Sequence, residues 1–357
     1  IRDRSPSRGL VDVYTRQESV GPVNAQSSSP DLLNQQAGSE KTIVVIIGPT
    51  AVGKTDAAMK LQDHLGGQSK AQLISADSAM IYKGMDIGTA KPSAEELAEY
   101  PHKLVSILDP NEIYSAADFV RDADKCIAQA FAENKIPIIV GGTMLYVKCF
   151  LDGIARLPDA DEAIRRQLVK ELDAGGAQAL HDELAAIDPA AAANIHPNNH
   201  QRLLRGLEVV RLTGKPLSSQ WVEQAGGSAI ARLGAKVILL GILPTQRAVL
   251  HQRIESRFDQ MLEGGFLEEV RTLRQRGDLH EDLPAVRAVG YRQGWQFLAG
   301  DIDAQTMRDK AVVATRQLAK RQMTWMRQWP ELDNCITDQP EQATAMIVKR
   351  LAALDLA

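Results

Sequence analysis

Cysteine is scarce in this chain, and the three present, Cys126, Cys149 and Cys335, are far apart and odd in number. That argues against a disulfide framework or a zinc finger and for a reducing compartment, so the cytoplasm is the expected location. Strong charge of one sign is also missing. The net charge is −4 over 357 residues, so any surface for nucleic acid must be a local patch. No apolar run is long enough to span a membrane, and the N-terminal segment has no apolar stretch of the signal-peptide kind. Neither a membrane partner nor a signal peptide is expected. The remaining composition, 44% hydrophobic and 24% charged, is that of a globular chain with room for one large domain or two ordinary ones.

What is present is organised around Gly48-Pro49-Thr50-Ala51-Val52-Gly53-Lys54-Thr55. It follows the apolar run Ile43–Ile47 and leads into a helix-compatible segment. This is the G-x-x-x-x-G-K-[ST] pattern in the strand–loop–helix setting it requires. Gly48 and Gly53 permit backbone angles that let consecutive N–H groups converge on phosphate oxygens. Lys54 adds a point charge, and the Thr55 hydroxyl is a candidate ligand for Mg²⁺. The loop implies a di- or triphosphate without saying which.

Residues 1–40 are rich in Ser, Gln, Pro and Asn and read as a disordered tail. From residue 41 to 155, β-branched runs alternate with helical patterns, with strands expected at Ile43–Ile47, Gln72–Ser75, His102–Ile107 and Ile136–Val140. That alternation predicts an α/β fold with a parallel, doubly wound sheet that binds ligands at the carboxyl ends of its strands. Gly48–Thr55, Asp77-Ser78 and Gly141–Thr143 fall on that edge. Residues 156–234 read as a helical insertion. The chain returns to the core at Ala235–Ile242, and the remainder of 235–357 reads as helical at Arg247–Glu263, Phe266–Arg276, Arg292–Leu298 and Thr306–Trp325.

Several residues carry candidate chemistry. Asp77 sits where a strand would deliver it beside the phosphate cradle; position alone fits a general base, a Mg²⁺ ligand or a solvated turn. Ile136–Val140 runs into Gly141-Gly142 with no carboxylate at its end. That argues against ATP hydrolysis and leaves room for a pyrophosphate substrate that is not a nucleotide. Arg253 and Arg257 share a helix face and suit a pyrophosphate leaving group, although spacing alone favours a salt-bridged surface. Arg308–Arg327 holds six basic residues, one acid and an interleaved Trp325, a pattern that suits RNA.

Together these motifs resemble the bacterial tRNA dimethylallyltransferase (tRNA isopentenyltransferase) family. The matching pieces are GPTAVGKT, ADSAMIYKGMDIGTAKP, YSAADF, IPIIVGGTMLY, HPNNHQRLLRGLEV, FDQMLEGGF, RAVGYRQ and TRQLAKRQMTW, in the family's order, over about Ile43 to Arg327. The resemblance implies transfer of a dimethylallyl group from dimethylallyl pyrophosphate to N6 of the adenosine 3′ of the anticodon (position 37), with Mg²⁺ as cofactor. It also implies a P-loop kinase-like core with a helical insertion that clasps the anticodon stem-loop, and the enzyme is expected to be a monomer. Asp77 becomes the base, with Lys54, Thr55, Thr143 and the Arg253/Arg257 pair in the catalytic set. tRNA contacts are implied at Asp77, Ser78, Ala79, Met80, Thr143 and Arg165. They continue at Gln201, Arg202, Leu203, Leu204 and Arg205, and at Arg287, Ala288, Val289, Gly290, Tyr291 and Arg292. The last group is Lys320, Arg321, Gln322, Met323, Thr324, Trp325, Met326 and Arg327. Val52 stands where a small Ser or Ala is commoner, and no C-terminal zinc finger is present. An adenylate isopentenyltransferase, a P-loop small-metabolite kinase and a non-catalytic RNA-binding protein are the competing readings.

Overall fold

Strand β1 (Thr42–Ile47) is buried along its whole length, which only a strand covered on both faces can be. Its side chains alternate between two cores. Val44 and Ile46 enter one, and Ile43, Val45 and Ile47 enter the other. The computed structural model describes residues 41–153, 157–158, 160–219 and 227–353; the tail expected over 1–40 lies outside them.

Helix α1 (Lys54–His64), β2 (Ala71–Ser75), α2 (Ala94–Glu99), β3 (His102–Lys103), α3 (Ala116–Ala132) and β4 (Ile136–Gly141) follow β1. After α4 (Met144–Asp152) come the helices of the insertion: α5 (Glu162–Ile187), α6 (Pro189–Asn194), α7 (His200–Thr213) and α8 (Ala229–Leu233). The chain re-enters the sheet as β5 (Lys236–Leu243). It ends with α9 (Arg247–Glu263), α10 (Phe266–Gln275), α11 (Tyr291–Ala299), α12 (Ala304–Met326), β6 (Asp333–Ile336) and α13 (Pro340–Ala352). Among the described residues the sheet order is β3-β2-β4-β1-β5-β6, and every neighbouring pair runs parallel. The expected α/β architecture is therefore present.

Three differences from the sequence reading have local causes. β3 stops at Lys103 because Leu104 and Ser106 take φ of 63° and 52°, a left-handed conformation that no strand continues through. β6 was not expected: of its four residues only Cys335 is buried, too little pattern to mark an edge strand. α13, also unexpected, is placed by its packing on α1 and β6. Within the insertion, α5 and α7 share their own apolar cluster, including Leu168, Leu180, Leu184, Leu203 and Leu207. α5 kinks at Gly176, where φ is 78° and ψ 167°, at the Gly175-Gly176 break visible in the sequence.

Parallel pairing matters for the site. Ile47 is level with Gly141, and Ser75 with Val140. The segments leaving β1, β2 and β4 therefore emerge side by side at one edge of the sheet.

Candidate active site

The loop after β1 is shaped by close approach. A Cβ on Gly48 would lie 2.7 Å from the Ile242 carbonyl oxygen, so only glycine fits the turn. Ala51 and Gly53 have φ of 64° and 93°. Alternating such residues with right-handed ones turns successive N–H groups toward one point, an anion-binding concavity. Val52 points the other way and is buried in the core. Lys54 opens α1, and its Nζ donates to the Pro49 carbonyl at 2.7 Å. Burial pulls the Lys54 pKa down to about 8; the Asp77 carboxylate opposes this and Arg257 adds to it. The neighbouring Thr55 hydroxyl lines the same cradle.

Asp77 follows β2. Its Oδ1 accepts from the backbone N–H groups of Ala79 (2.8 Å) and Met80 (3.2 Å), which fixes the carboxylate while its second oxygen makes no hydrogen bond among the described residues. Thr143, after β4, accepts from the Ser78 N–H at 3.0 Å and donates to Ser78 Oγ at 3.2 Å. Arg257 comes from α9. It makes no ion pair or side-chain hydrogen bond among the described residues, and its burial lowers its pKa, with Asp77 opposing the shift. Arg253, one turn earlier, is turned away: its guanidinium donates to the Asp338 carbonyl and it lines neither cavity. The expected arginine pair is thus divided, Arg257 on the phosphate side and Arg253 holding the segment before α13.

Two cavities meet here. One, about 340 Å³, is lined by Gly53, Lys54, Thr55, Asp56, Lys91 and His102 among others. The other, about 540 Å³, is lined by Ser78, Tyr114, Thr143, Tyr146, Arg287, Arg321 and Trp325 among others. Asp77, Arg257, Gln322, Thr50, Thr89 and Ala90 line both. A cradle carrying Lys54 and Arg257 and a wider, partly aromatic chamber therefore share the wall that carries Asp77.

Supporting residues complete that wall. The Gln322 side chain, from α12, accepts from Thr50 N–H and donates to the Gly142 carbonyl, both at 2.9 Å. It ties the phosphate loop to the end of β4. A Cβ on Gly142 would sit 2.6 Å from Gln322 Nε2, so glycine is required for the tie. Glu269, on α10, accepts from three consecutive N–H groups, Asp86, Ile87 and Gly88, at 2.8, 2.7 and 3.0 Å. It also accepts from the Tyr291 hydroxyl at 2.5 Å. One carboxylate thus holds the long loop after β2 against the start of α11. Tyr146 stacks on Phe119 with ring centroids 4.8 Å apart and donates to the Tyr114 carbonyl. Sequence reasoning missed Glu269, whose partners lie more than 180 residues away in the chain for the loop and 22 away for Tyr291.

The expected tRNA-contacting residues fall into two groups. Arg202, Arg287, Arg292, Lys320, Arg321 and Arg327 have no acidic partner among the described residues, and Arg287 and Arg321 reach the larger cavity. By contrast, Arg205 pairs with buried Glu208 at 2.8 Å and donates to the Pro158 carbonyl, and Arg165 lies 3.8 Å from the same Glu208. Leu203, Tyr291, Met323 and Met326 are buried in apolar clusters, and Gln322 serves the phosphate loop. A side-chain contact with RNA at Leu203, Met323 or Met326 does not fit their inward orientation. Arg308 and Arg316, part of the basic stretch on α12, are ion-paired with Glu255 and, for Arg308, Asp259. The acids missing from α12 come from α9. His196 accepts from the Asn198 N–H, and no cluster of three or more metal-ligating side chains occurs among the described residues.

Comparison with known proteins decides the family. A family model described as IPP transferase matches residues 80–329. A tRNA dimethylallyltransferase from Chromohalobacter salexigens is 51% identical over 307 residues, 85% of this chain and 96% of that protein. The chain belongs to the IPP transferase family. It is a transferase, and solved structures of the family agree. The tRNA isopentenylpyrophosphate transferase of Bacillus halodurans is 38% identical, with TM-score 0.63 over 89% of this chain and 97% of that one. The corresponding enzyme of Staphylococcus epidermidis is 33% identical, with TM-score 0.62 over 88% and 99%. A eukaryotic dimethylallyltransferase acting on tRNA is 26% identical, with TM-score 0.73 over 87% of this chain and 78% of that one. Among the described residues no helix is long and apolar enough to cross a membrane.

Proposed function

We propose that this enzyme transfers a dimethylallyl group from dimethylallyl pyrophosphate to N6 of the adenosine 3′-adjacent to the anticodon of tRNA. The observation that carries the reading is the wall shared by the two cavities. Lys54 lines the smaller cavity, Arg257 and Asp77 line both, and among the described residues Arg257 has no acidic partner and the second Asp77 oxygen no hydrogen bond. A pyrophosphate ester entering the smaller cavity presents its C1 to a base entering the larger one.

In the reaction the C1–O bond breaks, and its electron pair leaves on the pyrophosphate. The loop N–H groups, Lys54 and Arg257 stabilise that charge as it develops. The N6 lone pair forms the new C1–N bond, and the N6 proton passes to Asp77. The smaller cavity also suits Mg²⁺. The Thr55 hydroxyl has no protein hydrogen-bond partner among the described residues, and no cage of acidic side chains competes with ligation by phosphate, as is usual for this ion. When bound, Mg²⁺ would neutralise pyrophosphate charge.

An RNA acceptor is favoured over free AMP by the unpaired cations around the larger cavity and by the separate helical insertion, for which a nucleotide has no need. We propose that the anticodon stem-loop lies across Arg287–Arg292, the α12 face carrying Lys320, Arg321 and Arg327, and the insertion. We take the working unit to be a monomer, acting in the cytoplasm. The test is incubation with dimethylallyl pyrophosphate, Mg²⁺ and unmodified tRNA, followed by nucleoside mass analysis. N6-isopentenyladenosine in the tRNA is expected. Prenylated AMP with untouched tRNA, or ATP consumption alone, would replace this reading.

A further inference from the structure

Helix α9 delivers Arg257 to both cavities, yet Gln246, the residue before it, makes no side-chain cap. The approach to the helix is held from the far end of the chain instead. Thr337 N–H donates to the Leu243 carbonyl at 2.9 Å, so the segments leaving β5 and β6 run side by side. Asp338 Oδ1 accepts from the N–H groups of Thr245 (2.9 Å) and Gln246 (3.4 Å). The Asp338 carbonyl accepts from the guanidinium of Arg253, in the second turn of α9. One residue therefore grips the helix at two levels. Just beyond it α13 begins and packs on α1, with Ala343, Ile347 and Leu351 buried in the core that also holds Ala57, Ala58 and Leu61. Lys54, the other cation of the smaller cavity, opens α1. Both cations thus stand on helices tied to one short segment around Asp338.

We propose that Asp338 and Arg253 are positioning residues, which fix the height and rotation of α9 so that Arg257 meets pyrophosphate opposite Lys54; this rests on the transferase reading above. α9 is seated on the core by Leu250, Ile254 and Phe258. Apolar burial is non-directional and leaves sliding and rotation weakly opposed, whereas hydrogen bonds demand a direction as well as a distance. Arg257 has no ion pair or side-chain hydrogen bond among the described residues, so the helix alone sets where its guanidinium stands. A misplacement of about 1 Å at such a group costs catalysis heavily. Arg253 therefore serves pyrophosphate without touching it: it lines neither cavity, and its one hydrogen bond among the described residues goes to Asp338.

The experiment measures binding of inorganic pyrophosphate, with Mg²⁺, to the full chain and its variants by calorimetry. Asp338→Ala and Arg253→Met should each weaken it by roughly 10-fold, the scale of one lost hydrogen bond, with RNA affinity unchanged. Removing the Asp338 charge would by itself favour an anion, so weakening there reports on geometry. Asp338→Asn keeps the Oδ1 acceptor and should bind pyrophosphate at least as tightly as the wild type. Arg257→Ala decides the route. Once Arg257 is gone, neither Asp338→Ala nor Arg253→Met should weaken binding further, because both act through it. A further loss from Arg253→Met in that background means that Arg253 touches pyrophosphate itself, and overturns the proposal. So do variants that melt lower yet bind pyrophosphate like the wild type, or that lose RNA affinity equally, since these mark a merely structural role. In those cases the transferase reading stands; a wild type that binds no pyrophosphate overturns both. Should Asp338→Ala fail to fold, Arg253→Met carries the cycle, since it removes a single hydrogen bond from a half-buried side chain.

Discussion

Asp77 and Lys54 are each held by local backbone, and the Asp77 carboxylate partly offsets the effect of burial on Lys54. Asp77 accepts two N–H groups through one oxygen, so Asp77→Asn keeps the turn and removes the proposed base. We expect turnover to fall by at least ~10²-fold with RNA affinity retained; single-turnover assays beside RNA-binding titrations check both halves. Lys54 is a buried ammonium whose pKa falls from 10.5 to about 8. Between those values the unfolded chain binds the extra proton, so stability contributed at this site rises as pH increases from about 8 to 10.5 and is depressed below 8. The depression is on the order of 3 kcal/mol. Lys54→Met should therefore raise the melting temperature of the free protein at pH 7 while abolishing its stabilisation by pyrophosphate. A melt with and without pyrophosphate decides it. By the same logic kcat/KM for dimethylallyl pyrophosphate should decline above pH 8.

At the level of elements, α12 and α10 act through single side chains. Thr315, Leu318, Arg321, Gln322 and Trp325 lie on one face of α12 at helical spacing and line the larger cavity, with Gln322 reaching the phosphate loop. Gln322→Leu leaves the Thr50 N–H and the Gly142 carbonyl without partners, at about 1–3 kcal/mol each. We expect KM for dimethylallyl pyrophosphate to rise by ~10-fold, with a smaller change in KM for RNA; steady-state kinetics with each substrate varied would show it. Glu269→Gln is isosteric but places an amide NH₂ among four donors. It should destabilise the protein by about 1–3 kcal/mol, whereas a merely space-filling Glu269 would tolerate it. Urea denaturation distinguishes the two.

Over the whole molecule, charge is sorted by partner rather than by count. The net charge is only −4, yet Arg287, Arg292, Lys320, Arg321 and Arg327 stand without acids among the described residues, while Arg308 and Arg316 are neutralised by α9. Lys320→Ala or Arg327→Ala should each reduce the slope of log K against log salt for tRNA binding by about 1. Arg308→Ala should leave that slope unchanged and lower stability instead. Binding titrations over a range of salt concentrations test the contrast.

Much of the molecule is legible from the chain alone where the information is local. The strand–loop–helix pattern around Gly48–Thr55, the alternation that makes a parallel sheet and the position of Asp77 after β2 all follow from short-range periodicity and backbone geometry. What needed the tertiary structure is the pairing of distant groups. Arg253 and Arg257 are equivalent by spacing, and only packing sends one to Asp338 and the other to the phosphate cradle. Likewise Arg308 and Gln322 share a helix read as RNA-facing, and only the fold brings Glu255 to one and the phosphate loop to the other. A hydrogen bond or ion pair depends on ångström distances between residues far apart in the chain, and local sequence does not encode those distances.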